Sequence, residues 1–213
     1  QINIFKAIIS ANLTASRLLV VSSGEAYGAI RPEDLPLDED TPLRPTSPYA
    51  VSKVTQDLLG LQYWLTQQVQ AVRVRPFNHI GPRQRRGFVA PDFASQVAEI
   101  EAGLRPPVMA VGALDVARDF SDVRDIVAGY TLALTAGQPG QVYNLGAGQA
   151  HTVRDLLHVL IAASGAAIEV VQDPNRTRAV DVPCIVADCT RVHRDTGWQA
   201  QISFQQSLQD VLD

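Results

Sequence analysis

RLLVVSSGEAYG, residues 17–28, is a short apolar run that stops on two serines and a glycine. A run of this length, bounded by turn residues, reads as a strand buried on both faces, the kind that parallel sheets contain. The segment before it, from Ile4 to Leu13, spaces its apolar residues as a helix does, so a helix feeds the strand. Beyond it, GAIRPEDLPLDEDTPLRPTSP is rich in proline and acid and is expected to be loop, until Pro48 opens a long helix reaching about Gln68. AVRVRP is β-branched and ends on a proline, which predicts a second buried strand running into the loop FNHIGPRQRRGF.

The alternation continues. PDFASQVAEIEAG repeats apolar residues at helical spacing and closes on Gly103, a suitable C-cap residue, and PPVMAVG reads as a strand. The segment from Ser121 to Ala136 is expected to be helical, with Asp122 and Asp125 near its positive end, and QVYNLG to be another strand. Thr152 is placed to cap VRDLLHVLIAAS, IEVVQD reads as a strand, and Ser203 is placed to cap a last helix. Strands alternating with helices predict an α/β fold built on a doubly wound parallel sheet, with a smaller C-terminal α/β lobe suggested by the proline-rich insertions after Arg75. Residues 1–76 are assigned to the sheet domain and 77–213 mainly to the lobe, with 108–145 partly returning to the sheet.

Composition narrows the function classes. With 213 residues, 46% of them hydrophobic, the chain can bury a substantial core. Its net charge of −4 offers no broad basic face, so nucleic acid is not an expected partner. No apolar run approaches the roughly 20 residues that span a bilayer, and QINIFKAIIS lacks a signal-peptide layout, so a cytoplasmic protein without membrane contact is expected. Cys184, Cys189 and His193 lack the paired short spacings and fourth ligand of a zinc site, and no metal is expected.

The sharpest chemical signal is Tyr49-Ala50-Val51-Ser52-Lys53, because residues four apart share a helix face. A phenol transfers protons poorly at neutral pH until a nearby cation stabilises its anion, and a lysine supplies that field. Alone the pattern is weak, since both residue types are common on solvated helix faces. Ser22-Ser23-Gly24-Glu25, at the C-terminal end of a parallel strand, adds context: open α/β sheets bind ligands there. A serine that hydrogen-bonds a carbonyl oxygen, a tyrosine that protonates it and a lysine that tunes the tyrosine form the proton-transfer half of a hydride-transfer reaction.

With these residues in place the chain resembles the extended short-chain dehydrogenase/reductases, the NAD-dependent epimerase/dehydratase family acting on nucleotide sugars. The opening helix with Asn3, VVSSGEAYG, SPYAVSK, VRPFNHIGP, VGALDVARDFSDVRDIV, VYNLGAG and the closing TGW occur in that family's order, over nearly the whole chain. The resemblance implies a catalytic set of Ser23, Tyr49 and Lys53, and contacts of Ser22, Tyr49, Lys53 and Pro76 with NAD(P)H. It also implies Asn78 and Arg118 on the substrate's phosphates, Arg178 and Asp181 on phosphate and ribose, and His79 lining the sugar pocket. FNHIGP, GFVAPDFASQVAEIE and VGALDVARDFSDVRD are most similar to reductases of GDP-4-dehydro-6-deoxy-mannose, which implies a GDP-sugar substrate, GDP-rhamnose synthesis and a homodimer. Glu25 stands where the family's 4,6-dehydratases keep a catalytic glutamate, so a GDP-mannose 4,6-dehydratase or another nucleotide-sugar epimerase or dehydratase remains an alternative, as does a non-catalytic nucleotide-sugar-binding role.

Plainer readings stand beside these. Arg83, Arg85 and Arg86 either clamp a diphosphate or are solvated, His79 either lines a pocket or bonds backbone, and Asp92 either meets a base or caps a helix. Phe120 and Trp198 read as packing, and Asp119, Asp122 and Asp125 as dipole partners and caps. A dinucleotide-binding unit should begin with a strand, a glycine-rich turn and an acid some 20 residues on, and none is present. Gly146-Ala147-Gly148 lies in the wrong order for that turn. The resemblance therefore implies a chain that starts within the nucleotide domain, leaves apolar strand edges exposed and binds NAD(P)H poorly by itself.

Overall fold

The computed structural model describes residues 1–173 and 182–213. Three parallel strands, β1 (Leu18–Val21), β2 (Ala71–Pro76) and β6 (Val142–Leu145), pair in the order β1-β2-β6. In the first, Leu18 to Val21 lie opposite Ala71 to Val74. β2 is buried along its whole length, as its β-branched run requires. Helices α1 (Ile2–Ser10) and α2 (Pro48–Gln67) cover this sheet from one side, with Phe5 stacked on Tyr63. Helices α4 (Val123–Ala136) and α6 (Thr190–Thr196) pack Ile126, Ala133 and Val192 against Val72, Val74 and Tyr143. The α/β architecture with parallel pairing is the one that the sequence predicts.

A second sheet joins β3 (Asn78–Ile80), β5 (Ala117–Asp122) and β7 (Ala150–Thr152), with β9 (Cys184–Ile185) also on β5, and β4 (Val108–Val111) pairs with β8 (Glu169–Gln172). Helices α3 (Val89–Glu101), α5 (Val153–Ser164) and α7 (Phe204–Leu212) share a core with them, which includes Phe93, Val97, Met109, Leu157, Leu160 and Leu208. Each such side chain contributes about 1.5–3 kcal/mol when fully buried.

Local chemistry sets the boundaries. Ser47 accepts the Ala50 amide at the start of α2, with Pro48 in its first turn. Thr152 and Asp155 form a reciprocal capping box on α5, and Ser203 caps α7. Several expectations are corrected. α1 ends at Ser10 rather than Leu13, because Asn12 turns left-handed with φ 55°. Residues 117–122 are strand, so α4 begins at Val123 and Asp122 caps it instead of lying inside it. Part of the expected loop after Phe77 is strand β3, held by β5 through the pairing of Asn78 with Phe120. α3 begins at Val89, because Pro91 fits anywhere in a first turn. Asp92 therefore is not its N-cap and accepts the Gly87 amide instead, at 2.7 Å. Among the described residues no helix is long and apolar enough to cross a membrane.

Candidate active site

The site grows from the end of β1. Ser22 donates its amide proton to Val74 O at 2.8 Å and its hydroxyl proton to the Lys53 carbonyl at 3.0 Å, tying strand end to helix α2. Ser23 caps a short 3-10 turn, Gly24–Tyr27, accepting the Glu25 amide at 3.2 Å. That bond uses Oγ as an acceptor and does not consume the hydroxyl proton, in a residue that is itself buried. The turn closes on Gly28 at φ 63°, where a Cβ would collide with the Arg44 carbonyl, so a glycine is required there.

On α2, Tyr49 and Lys53 share a face, and the Lys53 amine lies 5.7 Å from the Tyr49 ring centre. The amine donates to Val21 O at 3.2 Å and to Gln56 Oε1 at 3.3 Å. The helix therefore sends its cation back to the strand that delivers Ser22 and Ser23. Tyr49 is 54% exposed, and Glu25 is exposed as well. Pro76 closes the neighbouring strand opposite Leu145. Ser22, Ser23, Lys53 and Pro76 thus come together at the carboxyl ends of β1 and β2, with Tyr49 one helical turn from Lys53.

The other residues are distributed more widely. Asn78 is exposed at the start of β3, two residues beyond Pro76. His79 is half-buried with Nδ1 3.0 Å from Phe77 O, a backbone contact. Arg118 lies on β5 and donates to the carbonyls of Ala117 and Val182, each at 2.8 Å. Arg178 and Asp181 lie outside the described residues. Arg86 pairs with Glu99 at 2.6 Å, and Arg85 sits 6.0 Å over the Phe88 ring. Such surface contacts contribute little.

The three aspartates of the 119–125 segment do more than complement helix dipoles. Asp122 caps α4 and accepts the Ser207 hydroxyl at 2.7 Å. Asp125 takes the amides of Gln201 and Ile202. Asp119 is fully buried and takes those of Ala147, Gly148 and Ala187, at 2.7, 3.0 and 3.1 Å, while burial pushes its carboxyl up. Two amides of the Gly146-Ala147-Gly148 turn are thereby committed to Asp119, so this turn does not offer a pyrophosphate cradle. The residues present fit the reactive end of a dinucleotide, and no glycine-rich turn for its phosphates is found among them. Cys189 donates to Gly146 O at 3.4 Å and burial raises its thiol pKa far above the usual range. Among the described residues no three metal-ligating side chains gather.

Sequence reasoning missed a buried polar network behind the site. Asp57 of α2 accepts Arg73 Nη1 at 2.5 Å and Arg75 Nε at 2.7 Å, with all three side chains buried. Arg75 Nη1 also donates to Tyr27 Oη and to Glu39 O, each at 3.1 Å. Tyr27 Oη donates to Asn144 Oδ1 at 2.7 Å, and Asn144 returns its amide proton to Glu39 Oε1 at 2.8 Å. Burial pushes the Tyr27 phenol up to about 12, so it remains a donor. The available signal was AVRVRP: two arginines on one face of a strand read as buried demand a buried counter-charge.

A serine at a parallel strand end, with a tyrosine and lysine on the next helix, on this α/β frame, defines an extended short-chain dehydrogenase/reductase. A family model described as GDP-mannose 4,6 dehydratase matches residues 1–211, and the chain belongs to that family. It is 36% identical over 211 residues to the GDP-6-deoxy-D-mannose reductase of Pseudomonas aeruginosa, covering 99% of this chain and 69% of that protein. It is 34% identical over 193 residues to a dTDP-glucose 4,6-dehydratase of Streptomyces antibioticus, covering 91% of this chain and 55% of that protein. A structure described as RMD from Pseudomonas aeruginosa complexed with NADPH matches with a TM-score of 0.93 at 36% identity, covering 99% of this chain and 70% of that one. A UDP-glucose 4-epimerase of Thermus thermophilus in complex with NAD matches with a TM-score of 0.83 at 28% identity, covering 100% and 67%. The chain thus spans 55% to 69% of the length of the two curated relatives.

Proposed function

We propose that the protein containing this chain reduces the C4 ketone of a GDP-4-dehydro-6-deoxy-hexose with NAD(P)H, on the way to GDP-rhamnose. The observation that carries this reading is the gathering of Ser23 and Lys53 at the strand ends beside Tyr49, in a chain alike over 99% of its length to a GDP-6-deoxy-D-mannose reductase. Ser22, Tyr49, Lys53 and Pro76 would hold the reactive end of the dinucleotide, which supplies a hydride to C4 when bound. Ser23 donates its hydroxyl proton to the ketone oxygen and orients it. Tyr49 gives its proton to that oxygen as it becomes an alkoxide. Lys53, anchored on Val21 O, stabilises the phenolate left behind. Asn78 and Arg118, with Arg178 and Asp181, take the diphosphate and ribose, guanidinium groups being suited to phosphate. Full-length protein is expected to consume NADPH with the 4-keto sugar and to leave GDP-mannose unchanged; inertness towards the ketone sinks the reading.

A second reading rests on Glu25, exposed two residues after Ser23. It makes the protein a 4,6-dehydratase, with Glu25 removing the proton beside the transient ketone. Conversion of GDP-mannose to its 4-keto-6-deoxy product without added reductant selects this reading.

The homodimer belongs to the same proposal. Val51, Leu58 and Leu65 of α2 are each at least half exposed and recur every seventh residue, forming an apolar stripe that a second copy would cover. Leu58→Glu combined with Leu65→Glu is expected to halve the mass measured by light scattering. A monomeric unmutated protein overturns the assignment.

A further inference from the structure

We propose that Arg75 is a positioning residue that keeps Ser23 and Tyr49 in register, by gripping the turn after Ser23 and the helix that carries Tyr49 with one guanidinium. The inference rests on the roles proposed above for those two residues. Arg75 leaves β2 just before Pro76. Its Nε reaches Asp57, one helical turn beyond Lys53 on α2, at 2.7 Å. Its Nη1 reaches Tyr27, the last residue of the turn that Ser23 caps, at 3.1 Å, and the guanidinium lies 5.1 Å over the Tyr27 ring.

Both grips are closed from behind. The second Asp57 oxygen is taken by Arg73, whose Nη2 donates to Gly140 O at 2.8 Å, so the carboxylate is held in place. Tyr27 is fixed by Asn144 of β6. Gly60, on the same face of α2 as Asp57, leaves room for the Arg73 side chain, since a Cβ there would come within 3.1 Å of Arg73 Cγ. A buried ion pair is poor evidence for stability, because desolvation offsets the attraction. It is better evidence for geometry: a planar fork fixes the direction of each partner, which an ammonium at the same place does not. The separation of Ser23 from Tyr49 is thus set by a side chain that touches neither, and errors of about 1 Å in such separations cost about 100-fold in rate.

The test uses full-length protein carrying Arg75→Lys or Tyr27→Phe, with steady-state kinetics and amide hydrogen exchange. Arg75→Lys is expected to lower kcat by about 100-fold and Tyr27→Phe by about 10-fold, with the KM for the nucleotide sugar within about twofold. In Arg75→Lys, exchange in residues 24–27 and 48–53 should accelerate together; in Tyr27→Phe, which leaves the Asp57 bond in place, exchange should accelerate in 24–27. Leu208→Ala, in the core of α7 far from this network in the chain, serves as the control that lowers the thermal midpoint while kcat, measured well below that midpoint, stays within about twofold of the unmutated protein's. Retention of kcat within about twofold in both variants, or acceleration in only one of the two segments in Arg75→Lys, or none in 24–27 in Tyr27→Phe, overturns the proposal. Where Arg75→Lys does not fold, Tyr27→Phe decides, since it removes a single oxygen. Failure of the unmutated protein to reduce the ketone removes the functional reading, and the exchange pattern alone then supports or overturns the positioning role.

Discussion

Tyr49→Phe is expected to lower kcat by about 10²- to 10⁴-fold, the worth of a positioned general acid, while leaving the thermal midpoint in place. The two halves of this expectation come from different observations. The phenol is the proton source at the ketone oxygen, and phenylalanine keeps the ring beside Lys53 but carries no proton to give. Tyr49 is 54% exposed, so removing its hydroxyl leaves no buried partner unsatisfied and creates no cavity. Steady-state reduction of the 4-keto sugar by full-length protein, beside a melting curve, checks both. A variant with near-normal kcat places the proton elsewhere, and a variant that melts early makes the tyrosine structural.

The largest loss of stability should follow Asp57→Ala. The carboxylate is fully buried and is the shared counter-charge of Arg73 and Arg75, whose side chains are also buried. Its removal leaves two neighbouring guanidinium groups without it in a dry environment, at a cost of about 3–5 kcal/mol. Against the roughly 5–15 kcal/mol that holds a domain together, this is enough to populate unfolded protein visibly in a denaturant titration. Arg86→Ala, which breaks the exposed pair with Glu99, should cost less than about 1 kcal/mol and gives the contrast. Equal losses in the two variants would show that Asp57 does not carry the buried charge balance.

What the sequence made legible was local. The strand 18–21 and the helix 48–67 follow from apolar spacing and from Pro48, whose effect acts over one turn. The Ser23, Tyr49 and Lys53 set could be named because spacing four apart on a helix, and a serine at a strand end, are properties of short segments. Strands β3 and β5 were not legible as strands: β3 has three residues, and the pairing of Asn78 with Phe120 that fixes both joins residues far apart in the chain. Asp119 reads as one more acid near a helix start until Ala147, Gly148 and Ala187 are brought to it. The Asp57 network was hidden for the same reason, since its members come from α2, β2, β6 and the loops between. A buried arginine announces that a partner exists without saying where.

The fit of Gly60 against Arg73 also limits how this part of the molecule can change over generations. A methyl group at 60 would press on a side chain already committed to Asp57 and Gly140, so that side chain has little freedom to yield. A larger residue at 60 asks Arg73 and Val20 to give by a few tenths of an ångström, and shrinking position 73 to make room uncovers half of the Asp57 carboxylate. The single-step routes therefore lead downhill, and lineages descending from this protein should keep both residues or exchange them as a pair.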